Sequence, residues 1–307
     1  MVEVFIPPPL VAGDTLGIIA PAGQVQDRRR FASGLQVLRE MGFQVRFPPS
    51  LWPGAGYLAD TDANRAAEFN RMWADPEVSA LMAVRGGYGC LRILNRIDLQ
   101  QVRRMPKLLI GFSDITILHS FLQKEAGLVS LHGPVLTSLA GSSKQALERF
   151  HHCLLGNWRN EIAWKKMEIL RGGRQRQGIL TGGNLSSIVS LLGTPFAPRW
   201  KERIVFLEDT HEPFYRLDRM LTQLSCAGRF KDIAGLILGD FSIADDQDPL
   251  QNIRHHEAVW QRTLELTAKA DIPVWAGFPA GHGRDNLTLP LGAQAVMDSD
   301  TGTLRFI

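Results

Sequence analysis

The sequence predicts a two-domain α/β protein whose first half builds a mostly parallel sheet. Three observations carry that prediction. Short apolar runs alternate with stretches of helical periodicity, the runs end in loops containing glycine or proline, and 307 residues are enough for two domains.

In order along the chain, Thr15-Leu16-Gly17-Ile18-Ile19-Ala20 is a buried-strand pattern that stops at Pro21-Ala22-Gly23. Phe31, Leu35 and Leu38 then recur at helical spacing until Gly42 ends the helix. Residues 43–47 alternate like a strand, residues 66–73 read as a helix broken by Asp75-Pro76, and residues 80–84 form the next strand. That strand runs into Arg85-Gly86-Gly87-Tyr88-Gly89, followed by a short helix around residues 91–94 and a strand over 108–112. Strands and helices alternating in this way imply right-handed βαβ units, with ligand sites at the carboxyl ends of the strands. The polar, basic stretch from His151 to Arg176 reads as a connection between domains, which sets the expected division at 1–145, 146–175 and 176–307. Further strands follow at 204–207, 235–238 and 274–276, and a terminal hairpin has strands at 295–297 and 304–306 flanking the turn Asp298-Ser299-Asp300-Thr301-Gly302.

Composition narrows the function class. A 45% hydrophobic, 21% charged chain with a formal charge of +3 carries too little positive charge to argue for nucleic acid or a membrane surface. The N-terminus lacks a basic region followed by an apolar run, and no window reaches the roughly 18 apolar residues of a membrane span. Cys90, Cys153 and Cys226 are odd in number and widely spaced, so neither a disulfide framework nor a zinc site is expected. Reduced thiols place the protein in the cytoplasm. Asp245, Asp246, Asp248, His255 and His256 read as a solvated acidic loop and an exposed helix, and no metal is expected there.

Gly111-Phe112-Ser113-Asp114 joins a strand to a helix whose apolar face is Ile115, Leu118 and Leu122. A serine at such a corner suits nucleophilic attack, with the Asp114 N–H available to an oxyanion. The same residues suit a helix cap, and Ile115 stands where a hydrolase elbow has its second glycine. Partners decide between the two readings. Of the eight histidines, His282 is distinctive, because Gly281 and Gly283 flank it after a strand. Glu208 ends the run Ile204-Val205-Phe206-Leu207 and supplies a carboxylate, although it could also cap the following helix. The order Ser113, Glu208, His282 is one of the known triad orders. Gly86 and Gly87 are the best-placed second oxyanion donors, while the loop does not match a dinucleotide fingerprint.

These motifs, together with Leu180-Thr181-Gly182-Gly183-Asn184-Leu185 and Phe206-Leu207-Glu208-Asp209, make the chain resemble the LD-carboxypeptidases over nearly its full length. This serine peptidase family also contains the microcin-C immunity peptidases. The resemblance implies an N-terminal Rossmann-like parallel sheet with flanking helices and a C-terminal α/β domain, with the active site between domains. It implies Ser113 as nucleophile, His282 as general base and acid, and Glu208 as the orienting carboxylate. The N–H groups of Asp114 and of Gly86 and Gly87 would form the oxyanion hole. The implied substrate is the murein tetrapeptide, cut before its terminal D-alanine in cell-wall recycling by a homodimer that needs no cofactor. Arginine suits a terminal carboxylate best, which singles out Arg85, with Arg216 and Arg219 as rivals. Asn184 is a further candidate contact for substrate.

Overall fold

A computed structural model describes residues 4–243 and 248–307. The chain divides into two compact units, Met1–Trp158 with Leu287–Gly292, and Arg159–Asn286 with Ala293–Ile307.

The first unit is built on a six-stranded sheet. Its order is Leu289–Leu291, Ser130–His132, Leu108–Gly111, Ala80–Ala83, Thr15–Ile19 and Gln44–Arg46. Every pairing is parallel except that of Leu289–Leu291 with Ser130–His132. Leu108, Leu109 and Ile110 have no exposed surface, and burying each such side chain is worth about 1.5–3 kcal/mol. A strand buried on both faces must read as an unbroken apolar run, as this one does. The helix Arg28–Glu40 starts where Asp27 accepts hydrogen bonds from the N–H groups of Arg29 and Arg30, and it buries Phe31, Leu35 and Leu38. Asp62–Ala74 starts likewise at Thr61.

The second unit holds an eight-stranded mixed sheet. Arg176–Asn184, Arg203–Glu208, Gly235–Leu238 and Val274–Ala276 form its parallel centre. Antiparallel strands flank that centre, including the expected terminal hairpin, Gln294–Asp298 with Thr303–Phe306. The helices Leu185–Ser190, Phe214–Cys226 and Pro249–Leu266 bury Ile188, Leu217, Leu221, Leu224 and Val259 in one core with Val205, Leu207 and Leu236. Glu208 closes its strand at the carboxyl edge, and Asp240 follows the end of the next strand.

Two stretches depart from the expected organisation. Residues 146–175, read as a connection, divide between the units. Lys144–Leu154 is a helix that buries Phe150, Cys153 and Leu154 in the first unit, and Ile162–Ala163 and Glu168–Arg171 pair into the second sheet. Residues 287–292 return to the first unit as an edge strand. No helix among the described residues is long and apolar enough to cross a membrane.

Candidate active site

Ser113 lies just past the strand Leu108–Gly111, in a 3-10 turn that leads into the helix Thr116–Ala126. Its φ of 62° is in the left-handed region, which costs a residue with a Cβ about 1 kcal/mol or more. Neither the turn nor the helix has a side-chain cap, so the serine hydroxyl does not serve as one. Gly86 lies against it: a Cβ at position 86 would sit 2.7 Å from Ser113 Cβ and 2.8 Å from its Oγ. Only glycine fits there.

The Asp114 carboxylate turns away from the helix that follows it. Its Oδ2 accepts the Cys90 N–H at 2.9 Å, at the start of the 3-10 helix Cys90–Arg96. That buried bond ties the serine turn to the end of the glycine-rich loop. Burial pushes the Asp114 carboxyl above the usual range and pushes the Cys90 thiol well up, so this cysteine is no nucleophile. The N–H groups of Gly87 and Asp114 donate to no group among the described residues, which leaves them available to an oxyanion. Gly87 holds φ at 125°, a conformation side chains resist. Arg85 is half-buried, with Nε donating to the Gly86 carbonyl at 3.2 Å and Nη1 to the Gln24 carbonyl at 3.1 Å. Its guanidinium therefore braces the loop from which the candidate oxyanion donors project.

In the second unit, Glu208 Oε2 accepts a hydrogen bond from His282 Nδ1 at 2.8 Å. Glu208 is wholly buried, while 22% of the His282 side chain is exposed. Since a carboxylate only accepts, Nδ1 carries the proton, and Nε2 bears the lone pair of the neutral ring. Burial pushes the Glu208 carboxyl up, a rise that His282 only partly offsets. Burial pulls the imidazole down, but the Glu208 carboxylate outweighs it and raises His282 above its ordinary 6.5. Gly281, at φ 134°, makes the approach possible, because a Cβ there would meet Glu208 Oε2 at 3.1 Å and Asp240 Cβ at 3.0 Å. Glu208 does not cap the next helix, which begins after Pro213 without a side-chain cap.

The remaining candidates have other partners. Asn184 pairs in register with Glu208 and caps Leu185–Ser190: its Oδ1 accepts from the Ser187 N–H and hydroxyl, and its Nδ2 donates to Asp209. Arg216 is exposed beside Glu212 and Tyr215, and Arg219 lies over the Tyr215 ring. His119 is fully buried, spans Ser130 and the Gly111 carbonyl, and is pushed down to about 4 by burial. Asp245 and Asp246 lie outside the described residues. His255 and His256 do not sit on an exposed helix as expected. His255 is buried, and His256 turns to Asp240, because the helix Pro249–Leu266 packs that face on the sheet. Asp240 is a further carboxylate at this end of the sheet that the reading of the sequence does not single out, although Leu238-Gly239-Asp240 carries a strand-end signal like that of Glu208. No group of three or more His, Cys, Asp or Glu side chains among the described residues could hold a metal ion.

Residues 16–133 match the family described as LD-carboxypeptidase N-terminal domain, and residues 177–297 match LD-carboxypeptidase C-terminal domain. A Bacillus subtilis protein named as a probable murein peptide carboxypeptidase is 35% identical, over 96% of this chain and 92% of that one. The microcin C7 self-immunity protein of Escherichia coli is 28% identical, over 95% of this chain and 92% of its own. Among solved structures, a muramoyltetrapeptide carboxypeptidase from Oxalobacter formigenes superposes with a TM-score of 0.78 at 29% identity, covering 95% of this chain and 97% of the other.

Proposed function

The chain belongs to the LD-carboxypeptidase family of serine carboxypeptidases, and we propose that it removes terminal D-alanine from murein tetrapeptides through Ser113, His282 and Glu208. The observation that carries this reading is the 2.8 Å hydrogen bond from His282 Nδ1 to the buried Glu208 carboxylate. It leaves Nε2 as the nitrogen that can take a proton, and it stabilises the imidazolium that results.

In the proposed reaction the Ser113 hydroxyl attacks the carbonyl before D-alanine, and His282 Nε2 accepts the hydroxyl proton. The N–H groups of Asp114 and of the Gly86-Gly87 loop stabilise the tetrahedral oxyanion, each worth about 10²–10³ in rate. His282 then protonates the leaving amine, and water hydrolyses the acyl-enzyme by the same route in reverse. Arg85 holds the terminal carboxylate, a role that the fork of a guanidinium suits. The reaction belongs to cytoplasmic murein recycling and is carried out by a homodimer, which sedimentation of the purified chain tests.

Mass spectrometry of murein tri-, tetra- and pentapeptides after incubation tests the substrate. Loss of one D-alanine from the tetrapeptide alone is expected, and an unchanged tetrapeptide overturns the reading. The similarity to the microcin self-immunity protein supports a second substrate class, a peptidyl- or aminoacyl-nucleotide cleaved at its acyl linkage. Incubation with both substrates separates the two.

A further inference from the structure

Asp240 links three parts of the second unit. Its backbone carbonyl accepts the Asp209 N–H at 3.0 Å, next to Glu208, and its own N–H donates to the Ala280 carbonyl at 3.0 Å, two residues before His282. Its Cβ packs where Gly281 has no side chain, and its Oδ2 lies 3.4 Å from the space a Cβ on Gly283 would fill. The carboxylate is itself held in place. Oδ1 accepts from the Ser242 N–H at 3.1 Å and from the Ser242 hydroxyl, and lies 3.3 Å from His256 Nε2. His256 is fixed in turn, since its Nδ1 donates to the Asn252 carbonyl at 2.8 Å and its Nε2 receives the Phe241 N–H at 3.1 Å. Asp240, His256, Gly281, Gly283 and Arg284 all line a cavity of about 510 Å³.

We propose that Asp240 is a positioning residue for His282, setting the height of the Gly281-His282-Gly283 turn and adding a further fixed negative charge beside the imidazole. The proposal rests on the reading of His282 as the proton carrier. The charges that act on that ring are Glu208 and Asp209 at one strand end and Asp240 at the next, Arg284 and Asp285 follow it on its own loop, and His256, on the helix Pro249–Leu266, faces Asp240 with His255 beside it. Glu208, Asp209 and Asp240 all favour the protonated ring. Burial alone would raise the Asp240 carboxyl, but the neighbouring His256 ring and the hydrogen bonds from Ser242 outweigh it, so the group stays charged as the ring titrates.

The test compares the intact protein with Asp240→Asn, which keeps size and backbone links but loses the charge. Ring-labelled histidine NMR should show the His282 midpoint falling by roughly half a pH unit. Turnover of murein tetrapeptide should fall about tenfold, with KM within about twofold. Asp240→Glu keeps the charge but displaces it, so the midpoint should stay near wild type while kcat still falls. A wild-type midpoint together with wild-type kcat in Asp240→Asn overturns the proposal. If Asp240→Asn does not fold, wild-type kcat in Asp240→Glu does so instead. Should tetrapeptide prove not to be the substrate, the functional reading fails, while the ring titration still decides whether Asp240 acts on His282.

Discussion

Gly86 and Ser113 share one volume: the space a Cβ on Gly86 would need, 2.7 Å from Ser113 Cβ, is taken by the serine. The glycine-rich loop and the candidate nucleophile are therefore a single steric unit. Gly86→Ala must push the serine or the loop aside, and a displacement of that size is expected to lower kcat by about 10²-fold. Steady-state kinetics on murein tetrapeptide measures it, and an unaltered kcat would separate the loop from the chemistry.

Ser113 holds a backbone conformation that glycine adopts without penalty. Ser113→Gly should abolish D-alanine release and at the same time stabilise the fold by up to about 1 kcal/mol, read as a rise in melting temperature. Ser113→Ala should be equally inactive without that gain. Lower stability in the glycine variant would show that the serine side chain contributes more to the fold than its backbone strain costs.

In the proposed mechanism the Glu208–His282 bond sets the acid limb of the pH profile. A general base must be neutral, and the carboxylate raises His282, so kcat/KM should climb with pH through a midpoint above 6.5. Glu208→Gln removes the raising charge, so that limb should move to lower pH while kcat falls by about 10³–10⁴. The sign for stability runs the other way. A histidine raised by folding contributes stability below its unfolded value, and that contribution is lost as pH rises through the folded one. A limb that stays in place in the glutamine variant would break the link between the pair.

Arg85 donates to two backbone carbonyls through Nε and Nη1, and Nη2 has no hydrogen bond among the described residues. If that nitrogen meets the substrate carboxylate, Arg85→Ala should raise KM by about 10–100-fold, the worth of a charge-assisted hydrogen bond. A fall in kcat alone would mark Arg85 as a brace for the loop and nothing more.

Much of this was legible in the chain. Central strands such as Leu108–Gly111 and Arg203–Glu208 are buried on both faces and so appear as apolar runs. Glu208 and His282 stood out because a strand end and flanking glycines are local signals. Other features depend on partners far away in sequence. Leu289–Leu291 has three residues and a central proline, which suits an edge strand but announces nothing, and its partner is Ser130–His132. The sequence around Ser113 fits a cap as well as a nucleophile, and only the fold shows that its turn has no side-chain cap and that the Asp114 carboxylate is on the Cys90 N–H. The sequence presents His256 as exposed because the helix Pro249–Leu266 carries polar residues on most of its turns, and the Asp240 that faces it follows a different element, the strand Gly235–Leu238.

The late edge strand also sets an order of events for the growing chain. Ser130–His132 keeps an open edge until residues 287–292 arrive, after nearly all of the second unit has been made. The half of the protein that carries Ser113 therefore cannot complete its sheet on the ribosome before the half that carries Glu208 and His282 has been synthesised. A gene fragment ending at Trp158 would leave that edge bare, open to pairing with another chain.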